Sequence, residues 1–362
     1  MNELFSNRIN NLRKVLKNSD EAVLLTNEVN IGYFSNFFHS EGYMMVTENN
    51  CYLLVDFRYY ESAQKTAVNC EVILFNKLSD ELLRLSKNEN IKNIYFEISD
   101  ITISKFNSFK NIFNNYNIDC VTSSELDNII IDIRIIKDET EFSKIKKAQE
   151  IAEKSYLEVL NYVKAGVTEK EISARLEYFM KLNGAECASF DLIAITGKKT
   201  SLPHGVPSDN KIEKGDFFTM DFGAVYEGYH SDTTRTLAVG FVTEEMKNIY
   251  DIVLEAQLTA LESIKQGVKC CDVDKTARDI ITNYGYGEYF GHSTGHGVGI
   301  NIHEAPTVSS RSETILKKGM VITDEPGIYI PDKFGVRIED MVYVTENGYE
   351  NFVTLSKELI IV

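Results

Sequence analysis

Long apolar runs are missing from this 362-residue sequence, and so is tryptophan. No apolar segment approaches the roughly 18 to 20 residues that a helix needs to cross a bilayer, which excludes a membrane-spanning protein. The opening stretch, MNELFSNRINNLRKVLK, lacks the apolar region of a signal peptide. We therefore expect a cytoplasmic protein that does not bind a membrane.

Cysteine patterns typical of metal sites or disulfide frameworks are also missing. The six cysteines are scattered and form no CxxC pair, which excludes the usual structural zinc site. In a reducing compartment we expect all of them to be free thiols. They are Cys51, Cys70, Cys120, Cys187, Cys270 and Cys271.

Positive charge is scarce. The chain has 38 lysines and arginines against 54 acidic residues, a net charge of −16. It therefore lacks a broad basic surface for neutralising phosphates, and nucleic-acid binding is excluded as its main function.

Several catalytic motifs are absent as well. The sequence contains neither a GxSxG elbow nor a Walker A lysine. His303-Glu304 does not begin an HExxH motif, because the fourth residue after His303 is Thr307. A thermolysin-like zinc helix is therefore excluded.

The length, about twice that of a usual domain, favours two domains with separate cores. In the N-terminal part, AVLLT, YMMVT, CYLLVDF and IKNIYFE have the composition of strands, with residues 48–50 as a hairpin loop. Residues 3–17 and 79–87 have helical patterns. We expect an α/β domain over residues 1–130, with a single histidine, His39, and a second domain over residues 131–362, the boundary lying near 125–138.

The C-terminal part begins with a long helical pattern. Apolar residues recur at three- to four-residue spacing at Phe142, Ile145, Ala148, Ala152, Tyr156 and Val159. Thr168 and Glu171 have the spacing of a capping box, which predicts that a second helix begins there.

An internal repeat runs through this C-terminal part. Residues 163–167 recur as 264–268, each time between two helical patterns. Further matches are His204-Gly205-Val206 with His296-Gly297-Val298, Lys214-Gly215 with Lys318-Gly319, and Asp221 with Glu325. The repeat predicts two helix-helix-strand-strand units that face each other across a pseudo-two-fold axis.

Two aspartates lie on a predicted hairpin of the first unit. If Glu227-Gly228 forms the turn, Tyr226 pairs with Tyr229, and Asp221 pairs with Thr234. Asp232 is then diagonal to Asp221 on the same face. Carboxylates this close repel each other unless their pKa is raised or a cation lies between them, although two solvated aspartates remain the alternative for the hairpin alone.

The second unit favours the metal interpretation. It supplies Glu325 at the position that matches Asp221, and Glu339 roughly where the repeat places Asp232. Burying four unpaired acids would cost several kcal/mol per ion. His296 adds an imidazole, a ligand that suits manganese, cobalt, zinc or iron better than magnesium or calcium.

Five of the six histidines fall between residues 204 and 303. Because they cluster beside the four acids, we expect His204, His292 and His303 to be site residues. We interpret His230 as structural.

These blocks resemble the pita-bread metallopeptidases (family M24), which include Xaa-Pro aminopeptidase, Xaa-Pro dipeptidase (prolidase), methionine aminopeptidase and creatinase. MDFG…SDTTRT, HSTGHGVGINIHE, EPGIYI and VRIED are similar to the family's signature blocks, in the same order. Residues 30–63 resemble the N-terminal domain of the aminopeptidase P, prolidase and creatinase branch, which methionine aminopeptidases lack. The resemblance implies an α/β (α+β) chain with a creatinase-like N-terminal domain and a pita-bread catalytic domain.

The resemblance also implies the roles of individual residues. The metal ligands are expected to be Asp221, Asp232, His296, Glu325 and Glu339, with Arg337 supporting them. They would hold two divalent ions, manganese in the first place and cobalt, zinc or iron as alternatives. Asp324, which departs from the commoner FTIEPG pattern, should point away from Glu325 on the opposite face of its strand.

The expected activity is that of an Xaa-Pro aminopeptidase acting on peptides with proline at the second position. A hydroxide bridging the two metals would attack the carbonyl, with Glu325 as general base and with His292, His303 and His204 near the scissile bond. The alternatives are a prolidase, a metal-free creatinase-like hydrolase, and a non-catalytic binding protein. The resemblance further suggests a homodimer.

Overall fold

The structure is a computed structural model that describes residues 2–38 and 41–362, so His39 lies outside the described residues. The chain divides into two compact units, Met1–Arg134 and Ile135–Val362. Within the described ranges, no helix combines the length and apolarity that crossing a bilayer requires. Both units mix helices and strands, which confirms the predicted α/β class.

The first unit contains a six-stranded mixed sheet with helices connecting its strands. Its strands are β1 (Glu21–Leu25), β2 (Tyr43–Thr47), β3 (Cys51–Val55), β4 (Glu71–Leu74), β5 (Asn93–Phe96) and β6 (Asp119–Val121). Its helices are α1 (Asn2–Leu12), α2 (Glu28–Ser35), α3 (Phe57–Thr66), α4 (Leu78–Asn88), α5 (Ile103–Asn114) and α6 (Glu125–Arg134).

The strand order in this sheet is β4-β3-β2-β1-β5-β6. β2 pairs antiparallel with β1 and β3, whereas the β1–β5, β3–β4 and β5–β6 pairs are parallel. The hairpin predicted around residues 48–50 is therefore confirmed. On one side of the sheet, Phe96, Phe109 and Phe113 form part of a continuous apolar core.

The second unit has two helix pairs and several antiparallel ladders. Its helices are α7 (Glu139–Val159), α8 (Glu169–Leu182), α9 (Glu244–Ser263) and α10 (Cys270–Asn283). The strands of its first half are β7 (Ile193–Thr196), β8 (Phe217–Phe222), β9 (Val225–Tyr226), β10 (Tyr229–His230) and β11 (Thr233–Ala238). Those of its second half are β12 (Gly295–Gly297), β13 (Glu304–Val308), β14 (Val321–Asp324), β15 (Gly327–Ile330), β16 (Phe334–Arg337), β17 (Asp340–Val344) and β18 (Tyr349–Asn351).

The second unit contains two larger antiparallel sheets. One has the order β11-β8-β7 and the other β13-β12-β14-β17-β18, while β9-β10 and β15-β16 form small separate ladders. Buried apolar side chains of α9 and α10 pack against β14, β16 and β17 and form a continuous core beneath the second sheet.

The internal repeat is visible in the backbone hydrogen bonds. The N–H of Gly166 donates to Ile212 O at 2.8 Å, and the N–H of Gly267 donates to Leu316 O at the same distance. Both glycines have left-handed backbones, with φ of 92° and 91°. The two halves thus use the same turn between their two helices, as the repeat predicts.

The hairpin of the first half has the predicted register. Tyr226 pairs with Tyr229, and Asp221 pairs with Thr234. At the turn, Glu227 and Gly228 have φ of 46° and 78°. Two consecutive left-handed residues match the twist of the flanking strands, which is why a glycine is needed here.

The helix starts match the sequence only in part. The Thr168 side chain accepts the N–H of Glu171, as expected, but the Glu171 carboxylate pairs with Arg175. A complete capping box begins α7 instead, where Asp138 and Glu141 each accept the other's backbone N–H. The long helix predicted from the apolar spacing is confirmed.

Candidate active site

One cavity of the second unit, with a volume of about 1030 Å³, gathers the residues singled out in the sequence. Its lining includes all nine of them: His204, Asp221, Asp232, His292, His296, His303, Glu325, Arg337 and Glu339. Glu325 is part of this lining and Asp324 is not, which agrees with their predicted opposite orientations. Asp324 is buried and lies opposite Asp340 in the β14–β17 ladder.

The four acids lie at or next to the ends of strands in both halves of the unit. Asp221 lies on β8, and Asp232 directly precedes β11. Glu325 directly follows β14, and Glu339 directly precedes β17. The N–H of Glu339 donates to Thr234 O at 3.2 Å, so the backbone itself joins the second half to the hairpin of the first.

His296 lies among these acids on β12. Its Nδ1 is 3.0 Å from Gly297 O and donates to it, which leaves Nε2 for the carboxylates. Nε2 lies 3.4 Å from Asp232 Oδ2 and 3.5 Å from Glu325 Oε1. Asp232, His296 and Glu339 offer ligand atoms that all lie within 4.8 Å of one another, close enough for a single ion.

The electrostatics of the cluster favour a bound cation. Burial, reinforced by the charge of Asp221, raises the pKa of Asp232 to about 6, although a hydrogen bond with His296 opposes this rise. Burial raises the pKa of Glu325 to about 7 and that of Glu339 well above its usual range. Without a cation, these acids resist ionising together.

His296 responds in the opposite direction. Burial disfavours its charged form, but the hydrogen bond with Asp232 and the charges of Glu325 and Asp232 outweigh that effect and raise its pKa to about 9. A protonated imidazole thus carries the positive charge that a metal would bring. Asp221 also has a buried oxygen, Oδ1, without a hydrogen-bond partner. One imidazole nitrogen and several carboxylate oxygens suit a divalent ion of borderline softness, so the residues fit the metal expected from the sequence.

Arg337 orients two of the four acids, Asp221 and Glu339. Its Nη2 lies 2.6 Å from Asp221 Oδ2, and its Nε donates to Thr234 Oγ1 at 3.0 Å. The Thr234 hydroxyl in turn donates to Glu339 Oε2 at 2.6 Å. One guanidinium therefore orients an acid of each half, one directly and one through a threonine.

His292 is neutral and fixed. Burial lowers its pKa to about 4. Its Nδ1 donates to Ser293 O at 2.8 Å, and its Nε2 accepts from the Tyr329 hydroxyl at 2.9 Å. That hydroxyl also accepts from Arg337 Nη1 at 3.0 Å. Both nitrogens of His292 are thus engaged by the protein.

The segment that carries His292 is held by α10. Arg278 donates to Phe290 O and to His292 O, each at 2.8 Å. Asp274, one turn earlier, pairs with Arg278 and accepts the N–H and hydroxyl of Thr294. No motif in the sequence predicts this support, because it joins α10 to a segment that follows it.

The other histidines occupy different environments. His204 and His303 are exposed at the cavity, and the rings of His296 and His303 lie 4.4 Å apart at their centroids. Partial desolvation of the His303 ring and the neighbouring His296 lower the pKa of His303. His230, interpreted as structural, lies on β10 and does not contribute to the lining of this cavity.

Comparisons with known proteins match both units. A model described as metallopeptidase family M24 matches residues 143–346, and one described as the creatinase/prolidase N-terminal domain matches residues 8–136. The chain belongs to metallopeptidase family M24. The resemblance inferred from the signature blocks is therefore confirmed, as is an M24 pita-bread unit preceded by a creatinase-like domain.

Individual M24 relatives are similar over nearly their whole length. An Xaa-Pro dipeptidase of Pyrococcus horikoshii is 44% identical over 95% of each chain. A solved structure of an Xaa-Pro dipeptidase from Bacillus anthracis is 42% identical, with a TM-score of 0.93 over 99% of this chain and 100% of that one. An X-Pro aminopeptidase from Thermotoga maritima is 38% identical, with a TM-score of 0.90 over 97% and 99%.

Proposed function

We propose that this M24 metallopeptidase is an Xaa-Pro dipeptidase, which hydrolyses the bond preceding proline in a dipeptide. The observation that carries the proposal is the convergence of Asp221, Asp232, His296, Glu325 and Glu339 in one cavity. The substrate class rests on similar relatives from two Pyrococcus species, both called Xaa-Pro dipeptidase. The aminopeptidase expected from the sequence is not confirmed, and the prolidase alternative fits the relatives better.

Those same five residues would hold two divalent metal ions, manganese being our first expectation. When bound, such ions polarise the scissile carbonyl and lower the pKa of water. The raised pKa values of Asp232, Glu325 and Glu339 and the unpartnered oxygen of Asp221 support this assignment.

Glu325 is the residue best placed to move a proton. Its Oε1 lies 3.5 Å from His296 Nε2 among the proposed ligands, where the water to be activated would also lie. Burial raises its pKa to about 7 while no cation is present, and bound metal would favour the ionised form that accepts a proton. In our proposal Glu325 takes the proton of the attacking water and later delivers it to the proline nitrogen that leaves.

The histidines orient the substrate. His303 and His204 are exposed to the cavity and have room to donate to a peptide carbonyl. His292, whose nitrogens are bonded to Ser293 and Tyr329, contributes a fixed wall unless a substrate displaces the tyrosine hydroxyl. Negative charge that develops on the carbonyl oxygen is stabilised most by donors that are already in place.

Xaa-Pro aminopeptidase remains a second candidate. The Thermotoga maritima aminopeptidase is almost as similar in structure as the dipeptidase from Bacillus anthracis. A cavity of about 1030 Å³ also offers space for more than two residues.

Hydrolysis assays on matched substrates distinguish the two candidates. Chelated protein is assayed with an Xaa-Pro dipeptide and with the corresponding Xaa-Pro-Yaa tripeptide, before and after addition of Mn²⁺. We expect the dipeptide alone to be cleaved, and only after metal is restored. Cleavage of the tripeptide supports the aminopeptidase, and inactivity towards both, with any divalent metal, overturns the peptidase proposal.

A further inference from the structure

Two cysteines lie side by side in the first unit. Cys51 is the first residue of β3, and Cys70 directly precedes β4. These strands are parallel neighbours in the register Tyr52↔Glu71, so the two cysteines occupy the preceding pair of positions. Neighbouring strands lie about 4.8 Å apart. That spacing falls within the Cα separation of about 4.4 to 6.8 Å that a disulfide requires.

The two thiols occupy neighbouring positions, and one of them is accessible. Cys51 is buried and Cys70 is partly exposed, and each thiol affects the pKa of the other. Both line a cavity of about 440 Å³ to which Arg13 and Asn50 also contribute. A small molecule in that cavity can therefore reach Cys70 before Cys51.

The surroundings distinguish an attacking thiol from a resolving one. Its interaction with Cys51 lowers the pKa of Cys70, whereas the interaction with Cys70 and burial raise the pKa of Cys51. Arg13, held by Thr47 O at 2.9 Å and Asn50 O at 3.2 Å, acts on Cys51, where its charge partly offsets the rise in pKa. The thiolate is the nucleophile in disulfide exchange, so the more accessible Cys70, with its lowered pKa, is assigned as the attacking thiol.

We propose that Cys51 and Cys70 form a reversible redox site that exchanges with low-molecular-weight disulfides of the glutathione class. The Cys70 thiolate attacks one sulfur of the small disulfide, whose S–S bond breaks and releases one thiolate. Cys51 then loses its proton to solvent and attacks the Cys70 sulfur, releasing the second small thiolate. The two protein thiols lose two electrons, and the small disulfide is reduced to two thiols.

The product would join β3 covalently to β4, an edge strand of the sheet, across the connection that contains α3. An edge strand is otherwise held by one neighbour only. Oxidation would therefore tether one of the two edge strands of this sheet without requiring a shift in register.

The test is peptide mapping of the full chain after incubation with oxidised glutathione under native conditions. We expect a Cys51–Cys70 disulfide, the loss of two titratable thiols, and full reversal by dithiothreitol. In Cys51→Ser, glutathione should remain trapped on Cys70. Cys187→Ser, which removes an exposed thiol of the second unit, serves as the matched control and should leave the disulfide yield unchanged.

Three results would overturn the proposal: both thiols remain unmodified while Cys187 reacts, glutathione stays on Cys70 of the wild-type chain, or the disulfide appears only in denaturant. If Cys51→Ser does not fold, the wild-type map still decides between these outcomes. Cys70→Ser then provides the second variant, in which Cys51 should remain reduced.

Discussion

At the scale of single residues, Glu339 shows that ionising a buried carboxylate of the proposed site costs free energy when no metal is bound. It is buried, its pKa is raised well above the usual range, and the Thr234 hydroxyl fixes one of its oxygens. Such a carboxylate is maintained only where a cation compensates for its burial.

The substitution Glu339→Gln keeps the shape of this side chain and removes its charge. We expect kcat/KM for Xaa-Pro dipeptides to fall by roughly a thousandfold or more, because the loss of metal-derived stabilisation is worth several kcal/mol. Metal content, measured on the same sample, should fall in parallel. Glu346→Gln, at an exposed glutamate paired with Lys318, is the control and should leave both quantities unchanged; full activity of Glu339→Gln would contradict the ligand assignment.

The positions of site residues on a hairpin or in the repeat could be predicted from the sequence, because spacing along the strands determines them. Contacts between residues of separate ladders could not. Counting outward from the turn placed Asp221 opposite Thr234, and the repeat pointed to Glu325. Tyr329, by contrast, binds His292 and Arg337 from a separate ladder, and no spacing in the sequence signals that contact.

At the scale of elements, α10 positions His292, which lies nine residues after the helix ends. Arg278 spans two carbonyls with its fork of donors, a geometry that lysine cannot reproduce. For Arg278→Lys we expect kcat/KM to fall by roughly tenfold to a hundredfold, because small displacements of a positioning group are costly.

The metal content of Arg278→Lys should remain normal, since the arginine contacts none of the five proposed ligands. Arg175→Lys, in an exposed pair on α8, is the matched control. A loss of metal in Arg278→Lys alone would show that its effect is not confined to the His292 segment.

In the first unit, another buried acid, Glu97, lies between the end of β5 and the start of α2. Glu97 accepts the N–H groups of Thr26 and Asn27 and the amide of Asn30, yet burial raises its pKa to about 7. The folded chain then keeps a proton, between pH 4.5 and 7, that the unfolded chain has released. The free energy of unfolding should therefore fall as pH rises through this window.

The variant Glu97→Gln cannot titrate and should lose this dependence. We expect the difference in unfolding free energy between wild type and variant to shift by at most about 3 kcal/mol across the window. Urea unfolding at intervals between pH 4.5 and 8 measures it. Parallel stability curves for the two proteins would show that the three donors keep Glu97 ionised throughout.

Helix starts show where sequence reasoning at this scale succeeded and where it did not. The apolar spacing predicts α7 but not its first residue, which the three-residue separation of Asp138 and Glu141 in a capping box marks. At α8 the same spacing predicted a reciprocal bond for Glu171, which an arginine one turn later removes. Competition between partners is a property of the folded surface and is not encoded in a motif.

At the scale of the whole molecule, metal should control stability as well as activity. Chelated wild-type protein carries four acids that repel one another in the second unit, and ligand binding stabilises a fold by mass action. We expect Mn²⁺ to raise the midpoint of thermal unfolding of wild type, by an amount that grows with its concentration.

The midpoint of thermal unfolding of Glu339→Gln should depend much less on metal. In chelator at pH 8 it should unfold at a higher temperature than chelated wild type, because one uncompensated charge is gone, and it should gain little from Mn²⁺. Thermal scans of both proteins, in chelator and in Mn²⁺, should show that the variant has the higher midpoint in chelator and wild type the higher midpoint in metal. Equal midpoints in all four measurements would contradict this prediction.

The homodimer stays a prediction. Light scattering of the native chain measures its mass in solution and checks it.

The turns at Gly166 and Gly267 show that the second unit is one design used twice, yet its proposed ligands are divided unevenly between the copies. The first copy supplies two aspartates, and the second supplies two glutamates and the imidazole. Neither copy holds all five proposed ligands, so each depends on the other to complete the site. His204 and His296 occupy matching positions of the repeat, yet only His296 lies beside Asp232 and Glu325, so the same position serves a different purpose in each copy.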